Sequence, residues 1–291
     1  MIINSYAKLN LYLEVLGKRP DNYHDLKTVF ERISLSDKIF LKLRKDKEIM
    51  LSSSSAQIPN DSTNLAYRSA KLLQDTFKVN KGVEIRIDKR IPVGAGLGGG
   101  SGNAAYVLMG LNKLWKLGLT REKLALLAKK IGADVPFFIY DAKFALAQGV
   151  GEKVKPLPKL DSLRLWHILI VPRIHVPTPL IFRKWDKINP KPGLTTREYD
   201  VTLLISALEK KDFIALGASL FNSLEAVTIK LHPELKRIKE RLAKAGLKSI
   251  LMSGSGPAVF GIVSSRKEAV SLYNRLRGVD DFWQVFMVKT V

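Results

Sequence analysis

Between Pro92 and Ala105 the chain reads Pro-Val-Gly-Ala-Gly-Leu-Gly-Gly-Gly-Ser-Gly-Asn-Ala-Ala, with six glycines from Gly94 to Gly102. Helix formers follow at once: Ala104, Ala105, Val107, Leu108 and Leu111. The run therefore reads as a bare-backbone loop between a strand at 83–91 and a helix reaching about Trp115. A helix entered this way offers unpaired N–H groups and the positive end of its dipole, which together attract phosphate. Ser101 adds a hydroxyl donor, and Asn103 or Ser101 is the candidate N-cap. A flexible linker is the competing reading, but linkers are rarely wedged between a strand and a well-patterned helix.

Gly94, Gly96 and Gly99 satisfy the dinucleotide spacing G-x-G-x-x-G, which alone is a weak signal. The context opposes it. An acidic residue at the end of a strand is required about 20 residues on, and Leu119-Thr120-Arg121-Glu122 reads there as a helix start. No Gly-Lys-Ser/Thr closes the run, and nothing resembles the protein-kinase catalytic loop. What remains is a long glycine loop that envelops phosphates mainly with backbone N–H groups.

A chain of 291 residues suits two domains, and Pro, Lys and Asp concentrate at 155–165. The expected division is 1–160 and 161–291. No apolar run approaches a membrane span, and the N-terminus lacks a signal-peptide pattern. Without cysteine there are no disulfides, thiolate metal sites or cysteine nucleophiles, which fits a reducing cytoplasm. The formal charge of +21 raises the possibility of nucleic acid. Lys and Arg are spread through nearly every segment, however, and no aromatic-basic RNA motif occurs. Polyanionic small substrates would benefit from the same field.

Residues 6–16 alternate, with Ala7, Leu9, Leu11, Leu13 and Val15 opposite Tyr6, Lys8, Asn10, Tyr12 and Glu14, the pattern of a half-buried strand. A turn at 17–22, strands within 26–43, a helix at 64–77, a helix at 121–131 and a hairpin at 142–154 follow. Beyond 165 the pattern predicts a strand to Val171 and a loop over 183–200. Helices at 199–210, 212–223 and 231–245, a strand-turn-strand at 249–264, a helix at 266–277 and a final strand complete the chain.

Three groups of polar residues stand in unusual places. Lys8 and Asn10 point to one side of their strand, either a solvated face or part of a site. Asp134 lies between Gly132-Ala133 and Val135-Pro136-Phe137-Phe138, as an N-cap or as a catalytic base; Val135, before proline, is expected to be extended. Tyr23-His24 either packs the preceding turn or receives a base or sugar ring. His167, His175 and His232 lack the spacing of a metal set, so no protein metal site is expected. A kinase acting on an alcohol needs a phosphate cradle, a charge for the transferring phosphoryl and a group for the hydroxyl. The glycine loop, Lys8 and Asp134 could supply them, with Mg²⁺ held largely through ATP oxygens.

These segments resemble the GHMP kinase superfamily. Tyr6-Ala7-Lys8-Leu9-Asn10-Leu11 is similar to its first motif, the glycine loop with Asn103-Ala104-Ala105 to its second, and Ser253-Gly254-Ser255-Gly256-Pro257 to its third. Gly17 to His24, Asp88 to Pro92, Gly132 to Phe138 and Pro177-Thr178-Pro179 narrow the resemblance to the branch acting on a cytidylyl-methylerythritol. The resemblance implies an α+β fold of two domains. The first would be ribosomal-protein-like with a left-handed βαβ crossover, the second ferredoxin-like. It implies ATP-dependent phosphorylation of the substrate's 2-hydroxyl in the non-mevalonate route to isoprenoid precursors. The partners would be a small molecule and ATP, with no nucleic acid or membrane, and the protein a monomer or homodimer.

By the same resemblance, Asp134 is the base and Lys8 stabilises charge and orients the hydroxyl. Pro92, Val93, Gly94, Ala95, Gly96, Leu97, Gly98, Gly99, Gly100, Ser101 and Gly102 would enclose ATP, with Asn64 and Lys89 on its adenine side. Asn10, Tyr23, His24 and Thr178 would hold the cytidylyl substrate, Phe182 stacking across cytosine from the tyrosine. Ser253, Gly254, Ser255 and Gly256 would brace the phosphate loop. Two positions depart from the pattern: Gly102 stands for a serine, and Asn22 for a glycine before Tyr-His. Asn tolerates left-handed backbone, so the turn is expected to survive. The alternatives are another kinase of the superfamily, of homoserine or mevalonate type, and an RNA-binding protein of ribosomal-protein-like fold. Neither of those kinase substrates has a base to stack between Tyr23 and Phe182.

Overall fold

Two long strands organise the first half: β1 (Ile2–Lys18) and β2 (His24–Arg44) pair antiparallel around a turn in which Asn22 takes φ of 66°. The computed structural model describes residues 1–189 and 200–291. The far edge of β2 is shared. β4 (Gly82–Asp88) pairs with its second half, and β5 (Phe144–Gly149), itself paired with β6 (Lys153–Pro156), pairs with its first. β3 (Ile49–Ser53) runs parallel to β4, and α1 (Leu65–Thr76) joins them as a βαβ unit. With α2 (Gly99–Leu114), α3 (Arg121–Lys129) and α4 (Val135–Tyr140), α1 covers one face of this sheet. Ile39, Leu41, Val83, Ile85, Leu108 and Leu111 form the centre of that layer.

The second half builds an antiparallel sheet of order β11-β7-β10-β9, from β7 (Trp166–Pro172), β9 (Ile250–Met252), β10 (Val259–Val263) and β11 (Trp283–Lys289). α9 (Glu234–Lys244) and α10 (Arg266–Leu276) cover one face, where Ile238, Leu242, Ala269 and Leu272 meet Ile168 and Ile170. Leu169, Val171 and Phe260 on the other face pack with Leu9, Leu11 and Tyr12 of β1 in a cluster spanning both sheets. β7 leads into α5 (Thr178–Ile188); α6 (Val201–Lys210), α7 (Phe213–Ser219), β8 (Phe221–Asn222) and α8 (Glu225–Leu231) precede α9. β8 pairs parallel with β1, so the second half returns a strand to the first sheet.

Several expectations are corrected. β1 is not half-buried: Lys8, Asn10 and Tyr12 are as enclosed as Leu9 and Leu11, because the second sheet and the glycine loop close over it. Val135 is helical, since Pro136 falls at the second helical position, where no intrahelical N–H is needed. The loop expected over 183–200 is helical through Ile188, with Ile181 and Trp185 buried; 190–199 lie outside the described residues. The helix expected over 212–223 ends at Ser219 so that Phe221 and Asn222 can pair with β1, and α8 was not foreseen. Neither Ser101 nor Asn103 caps α2: the N-cap is Gly98, left-handed and without a side-chain bond, because the helix starts inside the glycine run.

Candidate active site

β4 delivers the chain to the loop at a junction pinned by Asp37, fully buried on β2. Its Oδ1 accepts from the backbone N–H of Arg90 and Ile91 at 2.7 and 2.8 Å. Gly96 adopts φ of 75°, and a Cβ there would lie 2.2 Å from the Ser253 carbonyl oxygen. That contact is the brace. Ser253 donates its hydroxyl to the Gly96 carbonyl at 3.1 Å, and Ala258 N–H to Ala95 O at 3.2 Å. Asn222 steadies the brace, donating Nδ2 to the carbonyls of Met252 and Gly254, both at 2.8 Å. The first helical bond runs from Gly102 N–H to Gly98 O, so the N–H groups of Gly99, Gly100 and Ser101 have no intrahelical partner. Gly102 has no room for the serine it replaces without movement: a Cβ would sit 2.8 Å from the Tyr6 carbonyl oxygen.

Lys8 crosses beneath this loop. Its backbone N–H donates to Leu97 O at 2.9 Å, and its stem passes Gly98, where a Cβ would come within 2.9 Å of Lys8 Cγ. Its ammonium lies 2.6 Å from Asn10 Oδ1, 3.4 Å from Asp134 Oδ2 and 5.0 Å over the Phe30 ring. Asn10 is oriented in turn: Nδ2 donates to Thr28 Oγ1 at 2.8 Å, and Thr28 donates to Tyr12 O at 2.6 Å. A hydroxyl that spends its hydrogen on a carbonyl can only accept from Asn10, which leaves the amide oxygen for Lys8. Asp134 occupies the N-cap position of α4 in helical conformation and makes no cap bond. Its carboxylate, about a third exposed, faces a cavity rather than closing a helix.

Two cavities meet at the loop. One of about 770 Å³ contains Lys8, Asn10, Asp134, Tyr23, His24, Thr178 and Phe182. The other, about 360 Å³, is walled by Asn64, Lys89 and residues 92–101 with Asn103. Gly96, Gly98 and Ser101 line both. In the smaller cavity Asn64 caps α1, accepting from Ala66 N–H and donating to Pro59 O. Lys89 donates to Asp37 Oδ2 at 2.8 Å and to Ile91 O at 2.5 Å; burial lowers its pKa, and the Asp37 charge works against that shift. At the far end of the larger cavity Tyr23 is exposed, and Phe182 stacks on His24 at 4.7 Å. Thr178 and Ser255 share a hydroxyl hydrogen bond of 2.8 Å, joining α5 to the brace.

Sequence reasoning missed Thr28, Asp37, Asp186 and Asn222. Asp186 binds His24 Nε2 at 2.6 Å across 162 positions, and Asn222 lies 30 and 32 positions from the two brace carbonyls it holds. Only Asp37 carried a local sign, as one of two carboxylates, with Glu31, inside the strand pattern at 26–43. Among the described residues no cluster of three or more His, Asp or Glu could hold a metal ion.

A helix start with unpartnered N–H groups, a braced glycine loop and a Lys8–Asp134 pair in the adjoining cavity are the parts a phosphoryl-transferring kinase needs. The description "GHMP kinases N terminal domain" matches residues 64–142, and "GHMP kinases C terminal" matches 204–280. Proteins described as 4-diphosphocytidyl-2-C-methyl-D-erythritol kinase are 45% identical in Geobacillus sp. (strain WCH70), over 99% of this chain and 96% of that protein, and 43% identical in Bacillus subtilis (strain 168), over 98% and 95%. A crystal structure of 4-(cytidine 5'-diphospho)-2C-methyl-D-erythritol kinase superposes with a TM-score of 0.82 at 34% identity, covering 99% of this chain and 98% of that one. A crystal structure of L. major mevalonate kinase in complex with R-mevalonate, at 17% identity and TM-score 0.75 over 100% of this chain and 95% of that one, shares the fold. The chain belongs to the 4-diphosphocytidyl-2-C-methyl-D-erythritol kinase family of GHMP kinases and is an ATP-dependent kinase.

Proposed function

We propose that the protein transfers the γ-phosphoryl of ATP to the 2-hydroxyl of 4-diphosphocytidyl-2-C-methyl-D-erythritol. The observation that carries this reading is the shared wall: Gly96, Gly98 and Ser101 line both cavities, with Lys8 and Asp134 on the acceptor side. ATP lies in the smaller cavity with its phosphates on the N–H groups at the start of α2. The acceptor alcohol lies against Asp134, which takes its hydrogen as oxygen bonds to the γ-phosphorus and ADP leaves. Lys8, fixed by Asn10, bears the charge that gathers on the transferring group. Asn64 and Lys89 shape the adenine side structurally, one as a helix cap and the other through Asp37.

Mg²⁺ belongs to this reading as ATP's companion, and it would neutralise phosphate charge. Ser101, which lines both cavities, offers a hard oxygen that fits it, and most of its coordination would come from nucleotide and water. Cytosine lies between Tyr23 and the α5 side of the larger cavity. The setting is cytoplasmic, in keeping with the absence of cysteine.

The test incubates the protein with ATP, Mg²⁺ and the cytidylyl substrate, following ADP release and product mass. A product heavier by one phosphoryl group is expected, with Asp134→Asn slower by about a hundredfold or more while ATP still binds. ADP release that ignores the substrate would overturn the acceptor assignment. An Asp134→Asn variant of full activity would overturn the role of that residue.

A further inference from the structure

One face of α5 grips His24. Phe182, Trp185 and Asp186 stand at i, i+3 and i+4, which share a side of a helix. The Phe182 ring stacks on the imidazole at 4.7 Å and 28°, and Trp185 meets it edge-on at 6.1 Å and 89°. Asp186 Oδ1 lies 2.6 Å from Nε2, so the ring is held both in its plane and in its rotation about that plane. The second carboxylate oxygen of Asp186 lies 3.3 Å from the Lys18 ammonium. Burial works against the charge on Asp186, but the hydrogen bonds from His24 and Lys18 outweigh it and hold the carboxyl below its usual range.

An ionised carboxylate can only accept, so the hydrogen between the two residues belongs to Nε2. In the neutral ring Nδ1 is then a bare acceptor. Nδ1 has no partner among the described residues, and His24 lines the larger cavity. A cytosine edge presents an exocyclic amine, a donor that suits such an acceptor. Uracil presents a carbonyl oxygen at the same position and sets two lone pairs against each other.

We propose that Asp186, backed by Lys18, is a specificity-determining positioning residue that fixes His24 as its Nε2–H tautomer and so selects an amino-pyrimidine over a keto-pyrimidine. The proposal rests on the cytidylyl reading of the larger cavity and adds what sets its choice of base. It also makes an unusual prediction for one substitution. In Asp186→Asn, Lys18 is a donor only and takes the amide oxygen, which turns the amide NH₂ toward His24. Nε2 then becomes the acceptor, the hydrogen moves to Nδ1, and the ring now suits a carbonyl.

Two measurements on the full-length protein test this. Long-range ¹⁵N–¹H spectra of the four histidines, with His24 assigned by His24→Gln, read the tautomer directly. Calorimetric titration with CDP and with UDP reads the preference. The wild type is expected to show the Nε2–H form and to bind CDP at least about tenfold more tightly than UDP. Asp186→Asn should show the Nδ1–H form and shift the CDP/UDP ratio toward UDP by about tenfold or more, and Asp186→Leu should bring the ratio near unity. An Nδ1–H wild type overturns the proposal, as does an Asp186→Asn variant with tautomer and ratio unmoved. The wild-type spectrum decides the first point even if a variant folds poorly. A folded wild type that binds neither nucleotide removes the cytidylyl reading and this proposal with it; CDP binding indifferent to the tautomer removes this proposal alone.

Discussion

Thr28 acts on the chemistry through two intermediaries, and nothing in the string Leu26-Lys27-Thr28-Val29-Phe30 marks it. It is 1% exposed on β2, and its hydroxyl sits between Tyr12 O and Asn10 Nδ2. Thr28→Val keeps the shape and removes the acceptor, so Asn10 loses the bond that fixes which end of its amide faces Lys8. A flipped amide would point NH₂ at an ammonium and drive Lys8 from its place 3.4 Å from Asp134. The expected result is a fall in kcat of about tenfold with ATP binding unchanged, restored by Thr28→Ser. Unchanged kcat in Thr28→Val, with Lys8 held equally well, would end that account. The contrast with Asp134 is instructive. A carboxylate between small and bulky apolar residues could be seen in sequence, but only the structure, by the lack of a cap bond, sets the capping reading aside.

At the scale of elements, the glycine loop was legible because missing side chains are a local property. Its brace at 253–256 was legible as a second glycine run, and most strands and helices as periodicities of two and 3.6. What failed was whatever depends on a distant neighbour. β1 is buried on both faces because the second sheet and the glycine loop close over it, and the end of α7 is set by pairing with β1. The start of α2 escaped because glycine is a poor helix interior residue, yet Gly99, Gly100 and Gly102 are all helical. Close approach explains two of them: Gly99 lies against Lys89 and Ile91 and Gly102 against Tyr6, whereas Gly100 meets only Leu65 at ordinary contact distance. Gly98→Ala tests the same geometry from the N-cap. Left-handed backbone at φ of 67° costs about 1 kcal/mol for alanine, and the new methyl meets Lys8 Cγ at 2.9 Å and Phe138 Cζ at 3.2 Å. A stability loss of about 1 kcal/mol or more is expected, with kcat/KM for ATP down by at least about tenfold as Lys8 is pushed aside. Denaturant titration and steady-state kinetics would check the two parts separately.

Across the whole molecule, the two sheets are joined by more than a linker. Leu9, Leu11 and Tyr12 of the first pack with Leu169, Val171 and Phe260 of the second, and a polar knot lies in the same seam. Glu31 and His167, both fully buried, approach at 2.9 Å, and Thr290 donates to the same carboxyl oxygen at 2.6 Å. Glu31 Oε2 and His167 Nδ1 have no partner among the described residues, so the knot is incompletely satisfied. Such a group contributes little relative to an apolar replacement and much relative to a half-broken one. His167→Phe strands the carboxyl against an apolar ring and should cost about 3 kcal/mol, whereas Glu31→Met with His167→Phe should recover most of that loss. Because the seam is shared, the loss should lower one common unfolding transition. Trp115 reports from the first half and Trp166 and Trp283 from the second, so single-tryptophan variants followed by fluorescence in urea can separate the halves. Coincident midpoints that move together in His167→Phe are expected. A second-half transition that shifts while Trp115 stays put would show two domains that fold independently across a weak seam.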